Sequence, residues 1–489
     1  MRTASALAAG TLFATAIKAQ NGVVQWGIER KQLKPKLGKR AGSTFEEVIT
    51  NEQARGGYFA TCSVGTPAQD LTLQLDTGSS DIWVPYSQAS VCQGTSGSDA
   101  CTFGSFDPDS SSTFDNVGEG EFSISYVDGS HSKGDYFTDA FQIAGANISN
   151  VTMGLGINTD IPYGLVGVGY ALNEAIVFGE NSESAAYPNL PVVMKQDGLI
   201  NSNAYSLWLN DLDSSTGNIL FGGIDTKKYE GDLTRISIYK DPQTEEFTSF
   251  IVALTSLTAK SSTGNDTLTS TTFPIPVVLD SGTTLSYLPT DLAEQVWQET
   301  GAIYNGDLGL AVIPCSMQNS KGTFTFGFAG PDGPQITVGM DELVLDLTSG
   351  PAPTFSAGRY KGQEACEFGI QNFSSDPFLL GDTFLRSAYV VYDLENNEIG
   401  IAATDFNATE SNIVAFASEG AQIPSATEAP NQAQATNVPS FTQPAYAAAS
   451  GFGVDSAASM PSPLGMSQML VLGAALALTS VGTGFFSFF

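Results

Sequence analysis

Two stretches of this sequence carry the same carboxylate-bearing pattern, 204 residues apart. Residues 71–85 read LTLQLDTGSSDIWVP and residues 277–289 read VVLDSGTTLSYLP, and Asp76 aligns with Asp280 without a gap. In both stretches an apolar run that is typical of a strand leads into an Asp and then into a turn of small residues. A chain that builds this turn twice is predicted to bring the two carboxylates together.

A pair of carboxyl groups at hydrogen-bond distance can supply an acid and a base in one step. The two groups cannot both ionise, so they share one proton over a broad pH range, and the pKa values belong to the pair. The ionised group can take a proton from water while the protonated group gives one to a carbonyl oxygen, which is peptide hydrolysis without a covalent nucleophile. Gly78 and Gly282 are expected to let backbone N–H groups approach the carboxylates. Ser79 and Thr283 are placed to hydrogen-bond to them.

The composition of the chain argues against most other kinds of catalytic or binding site. The chain has 489 residues, a net charge of −31 and one histidine, His131. The negative charge argues against nucleic acid, whose phosphates need Lys and Arg. With one histidine an HExxH zinc site cannot form, and a Ser/His/Asp or Cys/His nucleophile would have to use His131. We therefore expect no metal and no cofactor, and we expect His131 to be solvent-exposed and not catalytic.

The first 40 residues have the character of segments that are removed. Residues 1–19 join a basic residue to an apolar, small-residue run, which indicates a secretory signal peptide. Residues 20–40 carry six basic side chains against one acid and end in the dibasic pair Lys39 and Arg40, which suits a processing protease. We predict a basic propeptide that docks on an acidic cleft through its charge. A disordered basic arm is the alternative.

The sequence pattern in the middle of the chain is typical of a large, mostly antiparallel β protein. Short β-rich runs alternate with turn residues, and 291–299 (DLAEQVWQE) is one of few convincing amphipathic helices. Each Asp turn is followed at similar range by an apolar segment that ends in glycine, at Gly167 and at Gly381. We predict two pseudo-symmetric lobes, 41–225 and 226–406, with an active-site cleft between them.

These motifs together resemble those of the pepsin-type aspartic proteases over about residues 57–404. The resemblance is carried by DTGSS at 76–80, GLVG at 164–167, DSGTT at 280–284 and FLLGDTFLRSAYVVYD at 378–393. Within that family the chain is most similar to fungal yapsin-like endopeptidases, which are secreted and GPI-anchored. The resemblance implies an all-β bilobal fold and an Asp-Asp dyad that hydrolyses peptide bonds in proteins at acid pH with an activated water. It also implies that the hydroxyls of Thr77 and Ser281 tie the two turns together.

A cover that excludes water is the next requirement of such a site. The sequence EFSISYVDGS at 121–130 predicts a strand that ends in an Asp-Gly hairpin turn. In the family this hairpin matches the flap, with Tyr126 in place of its tyrosine, although Val127 departs from the glycine common there. Asp128 and Gly129 form the tip, and in the yapsin-like group an acid at this place goes with Lys or Arg next to the scissile bond. We predict that preference, with a plain turn residue as the alternative role of Asp128.

Five cysteines and five glycosylation sequons agree with passage through the secretory route. A Cys92–Cys101 disulfide would close a short Gly/Ser loop, and a Cys315–Cys366 disulfide resembles the family's bridge in the C-terminal lobe. Cys62 is left over and is expected to be a buried thiol. The N-glycosylation candidates are Asn147, Asn150, Asn265, Asn372 and Asn407.

The composition shifts after residue 406. Residues 407–456 are rich in Ala, Ser, Thr and Pro, which predicts a disordered, O-glycosylated stalk. Residues 457–489 hold a spacer and an uncharged apolar tail, the pattern of a GPI-attachment signal that is cut off, with Ser456 as the attachment candidate. A retained tail anchor is the alternative. We expect a monomer on the outer face of the plasma membrane, or in the cell wall.

Three other functions fit parts of the sequence. A catalytically inactive pepsin-like binding protein would lack an Asp or have a plugged cleft, and both Asp triplets are intact. A structural cell-wall glycoprotein explains the stalk and the anchor but not the duplicated turn. A two-carboxylate glycosidase needs no matched turns in two lobes. The duplicated turn therefore favours an aspartic endopeptidase.

Overall fold

The computed structural model describes residues 22–31, 56–94, 101–214, 216–348, 351–374, 376–430, 432 and 443–453. The predicted signal peptide, the processing pair Lys39 and Arg40, the attachment candidate Ser456 and the predicted attachment signal lie outside these residues.

Eleven strands precede residue 226 in the described part of the chain. They are β1 Val24–Lys31, β2 Gly57–Val64, β3 Gln69–Asp76, β4 Ile82–Pro85, β5 Asp115–Ser125, β6 His131–Ile143, β7 Ala146–Thr159, β8 Leu165–Gly167, β9 Ala204–Trp208, β10 Thr216–Phe221 and β11 Gly223–Asp225.

Seventeen strands follow in the rest of the described chain. They are β12 Tyr229–Ser237, β13 Ile251–Lys260, β14 Asn265–Leu268, β15 Ile275–Leu279, β16 Ser286–Pro289, β17 Ile303–Asn305, β18 Leu310–Pro314, β19 Thr323–Phe328, β20 Gln335–Gly339, β21 Val344–Leu345, β22 Ala365–Phe368, β23 Ile370–Phe373, β24 Phe378–Leu380, β25 Ala388–Asp393, β26 Glu398–Thr404, β27 Ile413–Ala415 and β28 Thr427–Glu428.

Helices in the described residues are few and short. The amphipathic helix predicted over 291–299 is confirmed as the longest of them, and it buries Leu292, Val296 and Trp297 against the sheet. The α-helices are α1 Ala175–Glu180, α2 Leu190–Gln196, α3 Thr290–Thr300, α4 Met340–Leu343 and α5 Asp382–Leu385, and the 3₁₀ turns are Ser90–Cys92, Pro108–Ser110, Ala171–Asn173, Glu183–Ala185, Cys315–Asn319 and Ala449–Gly451.

One sheet of 14 strands runs through both halves of the chain, in the order β28-β12-β26-β25-β9-β10-β1-β2-β3-β8-β4-β7-β6-β5. The second half has its own eight-stranded sheet around β13, β15 and β24, and a four-stranded sheet of β17, β18, β22 and β21. The predicted all-β, bilobal fold is confirmed. The boundary predicted between 225 and 226 lies between β11 and β12, and β12 belongs to the shared sheet. The lobes therefore share their main sheet instead of having separate ones.

Both halves contain the same arrangement of three paired strands. In the first half β3 lies parallel to β8, with Asp76 opposite Gly167, and β4 lies antiparallel to β8. In the second half β15 lies parallel to β24, with Leu279 opposite Leu380, and β16 lies antiparallel to β24. The two Asp turns therefore leave equivalent strands at equivalent places.

Residues 24–31 form a strand of the main sheet. β1 pairs antiparallel with β10 on one side and with β2 on the other. Val24, Trp26 and Ile28 are at most 4% exposed. The predicted docking of this basic segment on the cleft through its charge is wrong for the described residues, which attach by strand pairing. Apolar and polar residues alternate along the segment, so it fits a strand with one buried face.

Much of the predicted stalk is packed on the body. β27 pairs with β11, and β28 lies parallel to β12. Phe416 and Ile423 are 0% and 2% exposed, and Ala448 and Phe452 are fully buried. The prediction of a disordered stalk that begins at residue 407 is therefore wrong for these described stretches. The segment is polar on average, but a few of its apolar side chains pack against the body of the protein.

Both predicted disulfides are present, and Cys62 is a buried free thiol in β2. Cys92 and Cys101 have Cα atoms 4.7 Å apart. Cys315 and Cys366 have Cα atoms 4.9 Å apart and join a 3₁₀ turn to β22.

The two disulfides are expected to stabilise the fold by different amounts because they close loops of 51 and 9 residues. Loop-closure entropy gives about 4 kcal/mol for the longer loop and about 2.5 kcal/mol for the shorter one. We expect Cys315→Ser with Cys366→Ser to lower the unfolding free energy about 1.5 kcal/mol more than Cys92→Ser with Cys101→Ser. Urea unfolding of the two double variants measures this, and equal losses would contradict it.

Candidate active site

The two Asp turns meet at the floor of a cleft between the halves. Asp76 ends β3 and Asp280 follows β15, and their residues are 4% and 7% exposed. The carboxyl groups are within hydrogen-bond reach of each other. The cleft above them has a volume of about 400 Å³. The structure thus brings together the two carboxylates that the repeated pattern singled out.

Each carboxylate is oriented by one backbone N–H and one hydroxyl group. The N–H of Gly78 donates to Oδ1 of Asp76 at 2.8 Å, and the hydroxyl of Ser79 donates to Oδ2 at 2.5 Å. The second turn repeats both contacts on Asp280 at the same distances, with Gly282 and Thr283 as donors. Both oxygens of each carboxylate are therefore bound, which fixes the plane of each group.

A reciprocal set of hydrogen bonds joins the two turns. The hydroxyl of Thr77 accepts from the N–H of Ser281 at 2.9 Å, and the hydroxyl of Ser281 accepts from the N–H of Thr77 at 3.2 Å. Each hydroxyl also donates across the junction, that of Thr77 to the Leu279 carbonyl at 3.0 Å and that of Ser281 to the Leu75 carbonyl at 3.2 Å. Thr77 and Ser281 thus lie where the resemblance placed them, between the turns.

The glycines of the turns are required by close approach. A Cβ atom on Gly78 would lie 2.6 Å from Oδ1 of Asp280, and one on Gly282 would overlap the carboxylate of Asp76. Any side chain at either position would therefore push the two carboxylates apart.

The environment of the pair favours retention of a proton. Burial, and then the negative charge of Asp280, raise the pKa of Asp76 to about 8, although the hydrogen bonds from Ser79 and Gly78 lower it. Two close carboxyl groups in a poorly solvated site cannot both ionise. The pair can therefore hold one proton from acid to neutral pH.

The hairpin of β5 and β6 covers the pair, as the sequence predicts. The Tyr126 hydroxyl accepts a hydrogen bond from Trp83 Nε1 at 2.8 Å, which holds the ring over the cleft. Val127 is 52% exposed at the tip. Gly129 has a φ of 85°, a left-handed conformation that favours glycine, and its N–H donates to the Tyr126 carbonyl at 2.9 Å. The tip is thus a tight turn with an exposed apolar side chain.

The charged residues that line the cleft are three carboxylates, Asp76, Asp280 and Asp128, with no Lys, Arg or His among the described lining residues. Asp128 Oδ1 accepts from the Ser130 N–H at 2.9 Å and from its hydroxyl at 2.6 Å. Among the described residues no hydrogen bond reaches Oδ2. The Asp128 charge adds to burial in raising the pKa of Tyr163 on the wall of the cleft. Asp128 is therefore both a turn residue and a charge in the cleft.

Two positioning residues were missed in the sequence. Gln74 Nε2 donates to the Gly282 carbonyl at 3.1 Å, across the junction of the halves. Asn173 Nδ2 donates to the Gly78 carbonyl at 3.0 Å. Gln74 carries little signal, since Thr72 and Gln74 both alternate with leucines in the run before Asp76. Asn173 carries none, because it lies 95 residues from its partner.

A second pair of buried carboxyl groups lies behind the first turn. Asp81 accepts from the hydroxyls of Tyr136 and Tyr187 at 2.9 Å each, and from the Ala175 N–H at 2.8 Å. Glu174 accepts from the Tyr187 N–H at 2.8 Å. Burial, and then the charge of Asp81, raise the pKa of Glu174 to about 10. Glu174 therefore keeps its proton while Asp81 accepts three hydrogen bonds.

His131 and the five sequon asparagines form no hydrogen bond to the carboxylate pair in the described residues. His131 begins β6 with Nδ1 3.2 Å from a carboxylate oxygen of Asp160, and its side chain is 33% exposed. Asn372 is half-buried at the cleft and donates to the Thr290 hydroxyl at 3.3 Å, so it is less open to a glycan than the other four sequons. Those four are exposed: Asn147, Asn150, Asn265 and Asn407.

Ser79→Ala is expected to shift the pH dependence of hydrolysis. The hydroxyl lowers the pKa of Asp76, so its loss raises that pKa, and the alkaline limb of kcat/KM moves to higher pH. The maximal rate should fall about tenfold, the worth of one hydrogen bond to a charged group. Ser80→Ala is the matched control, since the Ser80 hydroxyl has no hydrogen bond in the described residues. An unshifted limb in Ser79→Ala would overturn this role of the hydroxyl.

The described residues were also compared with the requirements of a metal site and of a membrane-spanning helix. No group of three or more His, Cys, Asp or Glu side chains among them could hold a metal ion. None of the helices in the described ranges is long and apolar enough to cross a membrane.

Comparison with known proteins identifies the family. The family model for eukaryotic aspartyl proteases matches residues 57–404. A probable aspartic-type endopeptidase, OPSB, of Arthroderma benhamiae is 41% identical over 435 residues, which cover 87% of this chain and 85% of the relative. The aspartic proteinase yapsin-3 of Saccharomyces cerevisiae is 32% identical over 403 residues, 81% of this chain and 74% of the relative. Secreted aspartic protease 8 of Candida albicans is 36% identical over 372 residues, 75% of this chain and 80% of the relative. The chain therefore belongs to the eukaryotic aspartyl protease family and is an aspartic-type endopeptidase.

Proposed function

We propose that Asp76 and Asp280 are the catalytic pair of a secreted endopeptidase that works at acid pH, prefers Lys or Arg next to the scissile bond and is held at the cell surface by a GPI anchor. The observation that carries the proposal is the pair of buried carboxylates, each bound by one backbone N–H and one hydroxyl, at the floor of a covered cleft.

The chemistry follows from one proton shared by two carboxyl groups. The ionised carboxylate takes a proton from a water molecule as the water oxygen attacks the peptide carbonyl carbon. The protonated carboxyl group gives its proton to the carbonyl oxygen, which leaves a neutral tetrahedral intermediate. The carboxyl group that took the water proton then gives it to the leaving nitrogen, the other carboxylate takes a proton from a hydroxyl of the intermediate, and the carbon–nitrogen bond breaks, which restores one shared proton. Pre-oriented carboxylates lower the barrier because they do not need to reorganise.

Asp128 supports a preference for basic substrates. Its Oδ1 accepts hydrogen bonds in the flap turn, while Oδ2 has no hydrogen bond from the described residues, and Asp128 lines a cleft without Lys, Arg or His among its described lining residues. A Lys or Arg side chain that enters there would form a partly desolvated ion pair. Such a pair is worth about 1–3 kcal/mol, roughly tenfold to a hundredfold in kcat/KM.

Asp128→Asn is the sharpest test of this preference, because the amide oxygen can still accept the turn hydrogen bonds while the charge is lost. We expect kcat/KM for peptides with Lys or Arg next to the scissile bond to fall about tenfold to a hundredfold, with little change for neutral peptides. The exposed Asp109→Asn is the matched control, and Asp76→Asn is the inactive reference. An unchanged peptide-library profile would reduce Asp128 to a turn residue, and activity surviving Asp76→Asn would sink the dyad mechanism.

We also propose that residues 20–40 are a propeptide removed after Lys39 and Arg40. The dibasic pair at the end of this basic segment supports the proposal, and residues 24–31 would then leave the main sheet when the segment is removed. Burial, and then the charge of Arg386, lower the pKa of Arg30, while the charges of Asp382 and Glu342 raise it. Removal of β1 would leave both β2 and β10 without one partner strand, and β2 leads directly to β3, which carries Asp76.

Membrane attachment is proposed from the sequence of residues 457–489. If they are an attachment signal, the tail is replaced by a glycolipid. We expect phosphatidylinositol-specific phospholipase to release the enzyme from intact cells, as followed by immunoblot of supernatant and pellet. Deletion of residues 457–489 is the control and should send the enzyme into the medium. Retention in the membrane pellet after phospholipase treatment would favour a tail anchor instead.

A further inference from the structure

The last described stretch, residues 443–453, lies on the second half of the body and is called here the C-terminal strap. Ala448 and Phe452 are fully buried in it. The Phe452 ring stacks on Phe324 of β19, with centroids 5.2 Å apart and planes 27° apart. The ring occupies the space beside Gly322, where any side chain would overlap it. The body thus has a shaped seat for this aromatic ring.

Polar contacts hold the backbone of the strap to the hairpin of β13 and β14. The Ala448 N–H donates to Oδ2 of Asp266 at 2.7 Å, and the Ala448 carbonyl accepts from the Ser261 hydroxyl at 2.6 Å. The Ala447 carbonyl accepts from the Thr263 hydroxyl at 2.8 Å. A hydrogen-bonded backbone beside a buried ring is a specific attachment, because each donor and acceptor has a partner of fixed position.

The seat also uses a buried acid. Asp266 is 6% exposed and lies beside Glu299 of α3, which is 1% exposed. Burial, and then the charge of Asp266, raise the pKa of Glu299 to about 8. Glu299 is therefore uncharged from acid to neutral pH, and Asp266 is free to accept the hydrogen bond from the strap.

The strap decides how long the tether can be. The last residue seen to pack on the body is Phe452, four residues before the attachment candidate Ser456. Four residues of chain span at most about 14 Å. The Ser237 N–H donates to Oε1 of Gln432, so a tail that left the body after this residue would have 24 residues to Ser456 and a root-mean-square length of roughly 25–30 Å.

We propose that the C-terminal strap fixes the exit of the tether beside the hairpin of β13 and β14 and so holds Phe452 within about 14 Å of the anchored end at Ser456. This inference rests on the glycolipid anchoring proposed above, whereas the seat of the strap on the body does not. The partner of this face is the lipid surface that carries the anchor. Protein substrates at the same surface are then within reach, while a longer tether would let the body sample the surrounding solution.

Energy transfer on whole cells tests the proposal. The donor is a fluorescent statine-type inhibitor in the cleft, and the acceptor is a lipid dye in the plasma membrane. Ala448→Asp buries a charge under the strap and should release it, so transfer should fall as the body moves away. Ala445→Asp adds the same charge at an exposed position of the strap and should transfer like the wild type. Equal transfer in the wild type and Ala448→Asp would overturn the proposal.

Hydrogen exchange on the same full-length proteins, recovered by phospholipase or from the medium, separates the strap from the anchor. The amides of Ala448, Gly451 and Phe452 should be protected in the wild type and exchange freely in Ala448→Asp. Free exchange of these amides in the wild type would contradict the packing of the strap on the body. Protection of these amides without release by phospholipase would support the packing of the strap but contradict the glycolipid anchor, and the proposed short tether would then be wrong. Phe452→Ala is the second variant if Ala448→Asp does not accumulate, and hydrolysis of a neutral peptide verifies that each variant is folded.

Discussion

The active site depends on the hydrogen bonds that Thr77 and Ser281 exchange across the junction of the two halves. Each is worth only about 0.5–1.5 kcal/mol net. Their importance is geometric, because they fix the separation of two like charges that would otherwise move apart. A shared proton requires carboxyl groups at hydrogen-bond distance, and no contact made by either half alone can set that distance. These hydrogen bonds between the turns hold the two Asp side chains together as one acid–base unit.

The rest of the fold serves this contact. Parallel pairing of β3 with β8 and of β15 with β24 sets each Asp at the end of a buried strand. The main sheet continues through β9, β10 and β25, so the halves are joined by a main-chain ladder and not by a linker alone. Gln74 adds a further hydrogen bond across the junction. The two carboxylates are therefore positioned by buried, hydrogen-bonded strands.

Burial raises the pKa values of several carboxyl groups. The pKa values of Asp76 and Glu299 are raised to about 8, and that of Glu174 to about 10. Such groups hold a proton in the folded state more tightly than in the unfolded chain. Their protonation favours the fold at acid pH, and this contribution is lost as pH rises from the unfolded pKa through the folded pKa. The interior is thus suited to the acid conditions proposed for catalysis.

Short sequence patterns are enough to predict the local features of this protein. The paired Asp turns, the flap hairpin, the helix over 291–299 and the two disulfide pairs are set by short patterns or by a family resemblance, and all of them are found in the structure. Only the tertiary structure decided that residues 24–31 are a sheet strand and that the tail returns to bury Phe452. Composition could not show this, because a few apolar residues in a polar segment matter only when a distant surface has a seat for them. The contacts of Asn173 and Gln74 were hidden for the same reason, since each joins residues that are far apart in the chain and close only after folding.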